Sequence, residues 1–167
     1  MLRRAAVLVI GSIVGALALL SGCATPIDVG QAERNVPPHE AAQNVALVKD
    51  RPVAWGGTVV NGKNLANNTQ FEVLAYPLDS SNRPKVNAAP LGRFIVVHPG
   101  YLETADYAPG RLITVVGPVT ETRTGKVGEA PYVYPVVAAD RMHLWPQLSQ
   151  TPSEPRIRFG IGIGIIR

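Results

Sequence analysis

The stretch VAWGGTVV at residues 53–60, followed by Asn61-Gly62 and by a second alternating stretch at residues 69–78, indicates how this chain folds. Every second residue of the first stretch, starting at its first valine, is apolar or glycine, which is typical of a half-buried β-strand. Asn-Gly is the strongest short signal for a hairpin turn, so we predict a turn there and a second strand over the stretch that follows. The pair Gly56-Gly57 predicts a bulge or a sharp bend within the first strand.

Three more strands are predicted downstream, over residues 91–98, 111–117 and 132–144, because these segments are rich in apolar and β-branched residues. The last of them is either one strand or a pair of strands broken by Pro135. Pro118 cannot donate a hydrogen bond to a β-ladder, so we expect it at a sheet edge or a bulge.

The connections between these strands complete the predicted fold. Residues 101–107 leave room for one or two helical turns, and residues 122–130 have the composition of a glycine-containing hairpin loop. Five strands with a short helical segment between the third and the fourth follow the order of an OB-like β-barrel. We therefore predict an all-β, OB-like five-stranded barrel over residues 49–148, with an open β-sandwich or a meander as the alternatives.

The beginning of the chain has the pattern of an export signal. Arg3 and Arg4 precede an apolar run over residues 5–20. This run is shorter than the roughly 20 apolar residues that a membrane-spanning helix needs, and small residues follow it. We predict a secretory signal peptide over residues 1–22, cleaved between Gly22 and Cys23.

The sequence Leu-Ser-Gly-Cys at residues 20–23 resembles the signal of bacterial lipoproteins. The resemblance implies that the Cys23 thiol carries a diacylglyceryl group and that its amine is acylated after cleavage; no other cofactor is expected. Two or more acyl chains anchor a protein firmly, whereas one binds only marginally. Ala24 stands where Asp marks lipoproteins retained at the inner membrane, so the resemblance implies lipid anchoring at the outer membrane of a Gram-negative bacterium, with the domain facing the periplasm.

Cysteine usage agrees with that interpretation, because Cys23 is the only cysteine of the chain. A single cysteine excludes a disulfide within one molecule, and an unmodified lone thiol in an exported protein would be reactive. Lipidation removes that reactivity.

The segments that flank the predicted barrel have no sustained strand pattern. Residues 23–48 contain prolines among polar residues, so we predict a tether, within which a short helix starting at Pro38 fits. Residues 149–167 combine a proline-containing linker with a Gly/Ile-rich tail. That tail either adds to a sheet edge, touches membrane, or stays without structure.

Several short motifs occur in order between the lipoprotein signal and Trp145. They are VAWGG at 53–57, FEVLAYPLD at 71–79, GRF at 92–94, YAPGR at 107–111, TVVG at 114–117, YVYP at 132–135 and HLW at 143–145. Together they resemble the Slp family of outer-membrane lipoproteins. The resemblance implies a starvation- or stress-associated envelope lipoprotein whose molecular activity is undefined. The sequence ETAD at residues 103–106 departs from the Asp-Pro pair expected of the family there.

Residues that would indicate catalysis are few. His39, His98 and His143 are too far apart in the sequence to place two metal ligands on one helix or turn, so no metal site is predicted. The chain has no Gly-x-Ser-x-Gly motif, and acylation of its cysteine would remove the thiol nucleophile. We predict no catalytic residue and expect that the protein is not an enzyme.

Charge gives no indication of a nucleic-acid partner. The chain has 16 Lys and Arg against 12 Asp and Glu. Arg3 and Arg4 belong to the predicted signal peptide, so the mature chain would have 14 against 12, a net charge of +2. No basic run occurs anywhere, which argues against nucleic-acid binding.

Aromatic residues on the predicted strands are the candidates for a binding surface. They are Trp55, Tyr76, Tyr132, Tyr134 and Trp145. Exposed rings on an OB-like barrel could bind glycan or protein, whereas buried rings would fill the barrel and close its ends. The expected partners are membrane lipid through the anchor and an envelope protein or glycan. The predicted role is structural association or binding in the envelope; the alternative is a glycan-binding module or an enzyme acting on envelope polymers.

Overall fold

Alternating apolar and polar residues form six β-strands in the computed structural model, which describes residues 27–48 and 51–147. A short helix and a single 3-10 turn precede them. The elements are α1 (Pro38–Gln43), the 3-10 turn Val45–Val48, β1 (Pro52–Asn64), β2 (Asn68–Tyr76), β3 (Arg93–Pro99), β4 (Leu112–Val127), β5 (Ala130–Ala138) and β6 (Arg141–Leu144). The predicted signal peptide, Cys23 and the Gly/Ile-rich tail lie outside the described residues.

The strands form one sheet in the order β1-β2-β3-β5-β4-β6, and an additional β1–β4 pairing closes β1 to β5 into a ring. Neighbours are antiparallel except β3 and β5, which are parallel. The prediction of a small, closed, OB-like all-β fold is therefore confirmed. The count is six because the segment predicted over 132–144 is a pair of strands, of which β6 pairs with β4 beside the ring.

Closure of the sheet depends on Gly57. Residues 56–58 pair with β2 on one side and with β4 on the other. A Cβ atom on Gly57 would overlap the carbonyl oxygen of Leu74 on β2, so only glycine permits this close approach of two backbones. The bulge predicted near this glycine pair lies between Val59 and Asn61.

The inward-facing residues of the ring form the main core. In β2 and β3 the predicted alternation is confirmed, since Phe71, Val73, Phe94 and Val96 are fully buried. Trp55 packs edge-on against Phe94, with 5.4 Å between the ring centroids. The other fully buried members of this core include Ala41, Val53, Ile113, Val115 and Val137.

The turn predicted at Asn61-Gly62 is wrong. β1 continues through both residues to Asn64, and they pair with Glu72 and Phe71 of β2. The hairpin turns at residues 65–67, where the Leu65 amide donates to the Asn68 carbonyl at 2.8 Å. Pairing of the two long strands outweighs the local turn preference, as tertiary context commonly does.

The hairpin loop predicted over residues 122–130 is also wrong, because β4 continues to Val127 and pairs with β5. The chain turns instead at residues 128–129, where Gly128 has a φ of +58°. Pro135 does not break the last segment; it pairs with Thr122 within the β4–β5 ladder. The β4–β5 arms, which are the parts of these two strands next to the turn, alternate only weakly in hydrophobicity because both of their faces are largely exposed.

Two further predictions concern connections. Pro118 pairs with Pro52 at the end of the β1–β4 ladder, next to a register shift between Val119 and Glu121, so its predicted position at an edge or bulge is confirmed. Residues 101–107 contain a turn, with the Asp106 amide donating to the Glu103 carbonyl at 3.1 Å, instead of the expected helical turns.

Residues 27–36, here called the N-terminal strap, lie against the sheet. Val29 and Ala32 are buried and pack in a second, smaller cluster with Ala54 and Val116. Glu33 forms a parallel bridge with Val53. The strap belongs to the segment predicted as a tether, yet it packs against the sheet. The sequence does not indicate this packing, because the residues that make the contacts are small and irregularly spaced and leave no periodic pattern.

The short helix expected after Pro38 is present as α1, and its Ala41 is fully buried in the main core. Among the described residues, no helix is both long enough and apolar enough to cross a membrane.

Candidate functional site

A groove of about 250 Å³, with both apolar and charged side chains in its lining, lies between the β1–β2 hairpin and the β4–β5 hairpin. Residues of all five strands from β1 to β5 line it. Its polar side chains include Asn61, Lys63, Gln70, Glu72, Arg123 and Lys126. In OB folds the face of the second and third strands, with the flanking hairpin loops, is the usual place for ligands, although the fold alone does not establish binding.

Strand alternation positions these side chains. On β2, Phe71 is buried in the main core, so the neighbouring Gln70 and Glu72 lie on the opposite face of the strand. Glu72 pairs with Ile95 of β3, an apolar residue that also lines the groove. On β4, the register shifts between Val119 and Glu121, ahead of the residues that form the other wall.

Glu72 is the centre of the hydrogen-bond network in the groove. Its Oε1 lies 2.6 Å from Arg93 Nη1, and the two side chains are 20% and 26% exposed. The Asn61 amide donates to Oε2 at 3.4 Å, and the Tyr134 hydroxyl lies 3.3 Å from Oε1. Arg93 and Asn61 therefore donate to this carboxylate, and the Tyr134 hydroxyl lies beside it.

Two tyrosines of β5, with their rings tilted 60° to each other, connect β3 with the β4–β5 hairpin. The rings of Tyr132 and Tyr134 are 4.7 Å apart between centroids. Tyr134 donates to the Lys126 carbonyl at 2.9 Å, and Tyr132 accepts from the Arg93 amide at 2.8 Å. Burial raises the pKa of Tyr134, and the negative charge of Glu72 raises it further, so the hydroxyl stays protonated.

The walls carry three cationic side chains. Arg123 Nη1 donates to Gln70 Oε1 at 3.2 Å, and its Nη2 lies 2.7 Å from Glu121 Oε1. Lys126 lies 3.7 Å from Glu129, in a largely exposed pair. Within the described part of the chain, Lys63 has no carboxylate within 4.0 Å.

This arrangement suits binding of a polar, negatively charged ligand. Lysine and arginine attract carboxylates or phosphates, and amides and hydroxyls hydrogen-bond to sugars. General acid–base catalysis needs a carboxyl group that is free to exchange a proton with a substrate, whereas Glu72 is occupied by Arg93. In residues 27–48 and 51–147, no three His, Cys, Asp or Glu side chains are grouped as a metal site would require.

The aromatic residues expected to form a binding surface lie in different parts of the structure. Trp55 is buried in the main core, where its Nε1 donates to the Val36 carbonyl at 2.8 Å. Trp145 is buried outside the main core, and its Nε1 donates to Thr114 Oγ1 of β4 at 2.9 Å. Tyr76 is half-buried near the end of the β1–β2 ladder, opposite Gly56.

Of these five aromatic residues, only Tyr134 lines the groove, and the Tyr132 ring packs against it at a tilt of 60°. The charged lining residues Lys63, Arg123 and Lys126 were not identified from the sequence. The signal that could have identified them is the alternation of side chains between the two faces of a strand. This alternation can be used only once residues 61–64 and 122–127 are known to lie in strands.

Comparison with known families gives one match that covers most of the chain. The family described as "Outer membrane lipoprotein Slp family" matches residues 20–161. This range includes the residues resembling a lipoprotein signal and every strand of the sheet.

Two relatives from Escherichia coli (strain K12) are similar to the chain. The "Uncharacterized lipoprotein YeaY" is 34% identical over 149 residues, which cover 85% of this chain and 77% of the relative. The "Outer membrane protein Slp" is 28% identical over 91 residues, which cover 54% of this chain and 48% of the relative. The chain thus spans about three quarters of the first protein and about half of the second.

Among solved structures, a small single-stranded DNA-binding protein from Streptomyces coelicolor is similar at 17% identity, with a TM-score of 0.33. The match covers 56% of this chain and 92% of that protein. At this level of similarity it carries no functional argument.

Proposed function

Because this chain belongs to the Slp family of outer membrane lipoproteins, we propose that it is held on the outer membrane by lipidated Cys23 and faces the periplasm as a non-enzymatic binding domain. The anchor is supported by the export signal, by the Leu-Ser-Gly-Cys sequence and by the presence of a single cysteine. A diacylglyceryl group with an N-acyl chain provides firm anchoring.

The proposed binding activity rests on one observation, the arrangement of charges in the groove. Its acidic residue, Glu72, is occupied by Arg93, while among the described residues Lys63 has no carboxylate within 4.0 Å and Lys126 is paired only with the fully exposed Glu129. The ligand class that fits this arrangement is an anionic glycan of the envelope. Its carboxylates would meet Lys63 and Lys126, and its hydroxyls would meet Asn61 and Gln70.

The anchor is tested by the intact mass of the mature protein isolated from its own envelope. We expect a chain that begins at Cys23 and carries three acyl chains. The Cys23→Ala variant should be released from the membrane fraction. An unmodified thiol, together with a soluble wild-type protein, would contradict the anchor.

The groove is tested by titrating the protein with soluble peptidoglycan fragments, which are glycans that carry carboxylates. The double variant Lys63→Ala, Lys126→Ala should bind several-fold more weakly than the wild type. Lys85→Ala is the matched control, since it removes an exposed lysine outside the groove and should bind as the wild type does. Equal binding by all three proteins would contradict a role for the groove.

The same titration distinguishes binding from catalysis. Mass spectrometry of the fragments after prolonged incubation should show them unchanged. Cleaved or otherwise altered fragments would make the protein an enzyme acting on envelope polymers, and would exclude the non-enzymatic role.

A further inference from the structure

The N-terminal strap is fixed to the sheet from its first described residue. The Asn82 side-chain amide donates to the Ile27 carbonyl at 2.9 Å. The Asn82 carbonyl in turn accepts from the buried Thr114 hydroxyl at 2.7 Å. Two residues further along the strap, Val29 is buried against Ala54 and Val116. The loop that holds Ile27 is therefore itself held by the ring.

Only four residue steps separate Cys23 from this point of attachment. Four fully extended residues span at most about 14 Å. The headgroup layer on each side of a bilayer is about 5–8 Å thick, as the difference between its total and hydrocarbon thickness implies. If Cys23 is acylated as proposed above and lies at the hydrocarbon boundary, Ile27 lies at most about 6–9 Å beyond the headgroup layer.

The other end of the described chain leaves from the same place. Arg83, the neighbour of Asn82, donates to the Pro146 carbonyl at 3.5 Å. Its guanidinium lies 5.2 Å from the centre of the Trp145 ring. The sequence that continues toward the Gly/Ile-rich segment at residues 159–166 thus departs beside the attachment point of the strap.

Within the described residues, two arginines at this end have no carboxylate within 4.0 Å. Arg34 donates to the backbone carbonyl of Asp79 at 3.3 Å, and Arg83 also donates to a carbonyl. A carbonyl does not neutralise a guanidinium, so both groups can still pair with an anion. Arg141 differs, since it lies 3.4 Å from the Asp28 carboxylate. Phosphate oxygens match the planar donor set of arginine.

We propose that this region, here called the anchor end, docks on the membrane surface, with Arg34 and Arg83 in contact with lipid phosphates. The anchor end consists of the strap, residues 79–83 and residues 141–147. This inference rests on the proposed acylation of Cys23, and it adds an orientation. The strap bridges to β1 at Val53, and Lys63 of the groove lies ten residues further along the strand, at most about 33 Å because β1 is interrupted by a bulge between Val59 and Asn61. The groove is then directed away from the lipid.

The orientation can be measured with two fluorescent labels on the lipidated protein in vesicles whose headgroups carry a quencher. Ser80→Cys labels the anchor end, and Glu129→Cys labels the tip of the β4–β5 hairpin, where the side chain is fully exposed. Acylation blocks the native thiol, and intact mass confirms it before labelling, so failure of the anchor is recognised separately.

We expect several-fold stronger quenching at position 80 than at position 129. Equal quenching at the two positions, or stronger quenching at position 129, overturns the orientation. Both outcomes are read from the same folded, acylated protein.

The phosphate contact is tested by adding phosphatidylglycerol to phosphatidylcholine vesicles. Quenching at position 80 should rise with the anionic lipid in the wild type and in the Arg34→Lys, Arg83→Lys variant. The rise should be lost in Arg34→Gln, Arg83→Gln and kept in Lys63→Gln, which removes a charge from the groove. If the rise in quenching remains in the Arg34→Gln, Arg83→Gln variant, or is lost in Lys63→Gln, the phosphate contact is overturned.

Discussion

The polar groups of the anchor end differ from those of the groove in charge and in burial. At the anchor end, neutral groups form a buried series of hydrogen bonds from Trp145 Nε1 to Thr114, from Thr114 to Asn82, and from Asn82 to Ile27. In the groove, many of the polar groups are charged and partly exposed, as in the Glu72–Arg93 pair.

This difference separates a structural region from one that can exchange partners. A buried donor or acceptor that loses its partner costs about 1–3 kcal/mol, so the series at the anchor end holds one geometry. Partly exposed ion pairs contribute about 1 kcal/mol or less, since water can replace either partner. The groove can therefore rearrange around a ligand, whereas the anchor end can hold a fixed orientation.

The largest expected effect comes from Gly57→Ala, which disrupts both regions together. The new Cβ would overlap the Leu74 carbonyl, where β1 is paired on both sides. We expect a loss of about 3 kcal/mol in the free energy of unfolding, at the upper end of the cost of overpacking. Urea denaturation measures it. Gly128→Ala is the control: no atom lies within 4 Å of its new Cβ, and only the strain of its positive φ, about 1–2 kcal/mol, is expected. Equal losses in both variants would contradict the role of Gly57 in closure.

Thr114→Val should affect the anchor end alone. It leaves the buried Trp145 Nε1 without its acceptor and removes the donor to Asn82, at a cost of about 1–3 kcal/mol. Hydrogen exchange should become faster at the Ala54 amide, which donates to the Glu33 carbonyl of the strap. Thr114→Ser keeps the hydroxyl and should keep the protection. Unchanged exchange at Ala54, or an equal loss in the β4–β5 hairpin, would contradict a separate anchor end.

The sequence predicts the ring better than it predicts either of its ends. Phe71, Val73, Phe94 and Val96 alternate strictly because one face of each strand is buried, and that pattern is local. The Asn61-Gly62 turn was mispredicted because partners on β2 decide where β1 ends, and those partners are found only after folding.

Both functional regions depend on contacts between residues that are distant in the chain. Glu72 and Tyr134 are 62 residues apart, and Ile27 and Asn82 are 55 apart. No periodicity connects such pairs, and the polar residues of the β4–β5 arms resemble a loop until their pairing is known. The resemblance of residues 20–23 to a lipoprotein signal needs no such pairing, because these residues are contiguous.

Tyr134→Phe should produce a smaller change, confined to the groove. It removes the hydrogen bond to the Lys126 carbonyl and is expected to cost about 0.5–1.5 kcal/mol. Burial, followed by the charge of Glu72, raises the pKa of Tyr134, so its contribution is fully present below the ordinary tyrosine pKa of about 10 and is lost as the pH rises through the folded value. The difference in the free energy of unfolding between wild type and variant, measured by denaturation, should therefore shrink as the pH rises from neutral to alkaline. Tyr101→Phe, at an exposed position, should change stability little at neutral pH. A constant Tyr134 difference across this range would contradict the assignment.

The smallest effect is expected for Glu33→Gln in the strap, and it has the opposite pH dependence. The Asn35 amide, which donates to Glu33 at 2.8 Å, lowers the pKa of this carboxyl, and Arg51 at 3.3 Å also lowers it, whereas burial opposes both. A lowered folded pKa means that the stabilisation is present above the ordinary glutamate pKa of about 4.3 and is lost as the pH falls through the folded value. Wild type should exceed the variant by about 0.5 kcal/mol at neutral pH and by nothing at the acid end. The control Glu129→Gln, at the tip of the β4–β5 hairpin, should show no such trend. A wild-type advantage that persists in acid would contradict the role of the carboxylate charge, and equal stability at every pH would mean that packing of Val29 and Ala32 alone holds the strap.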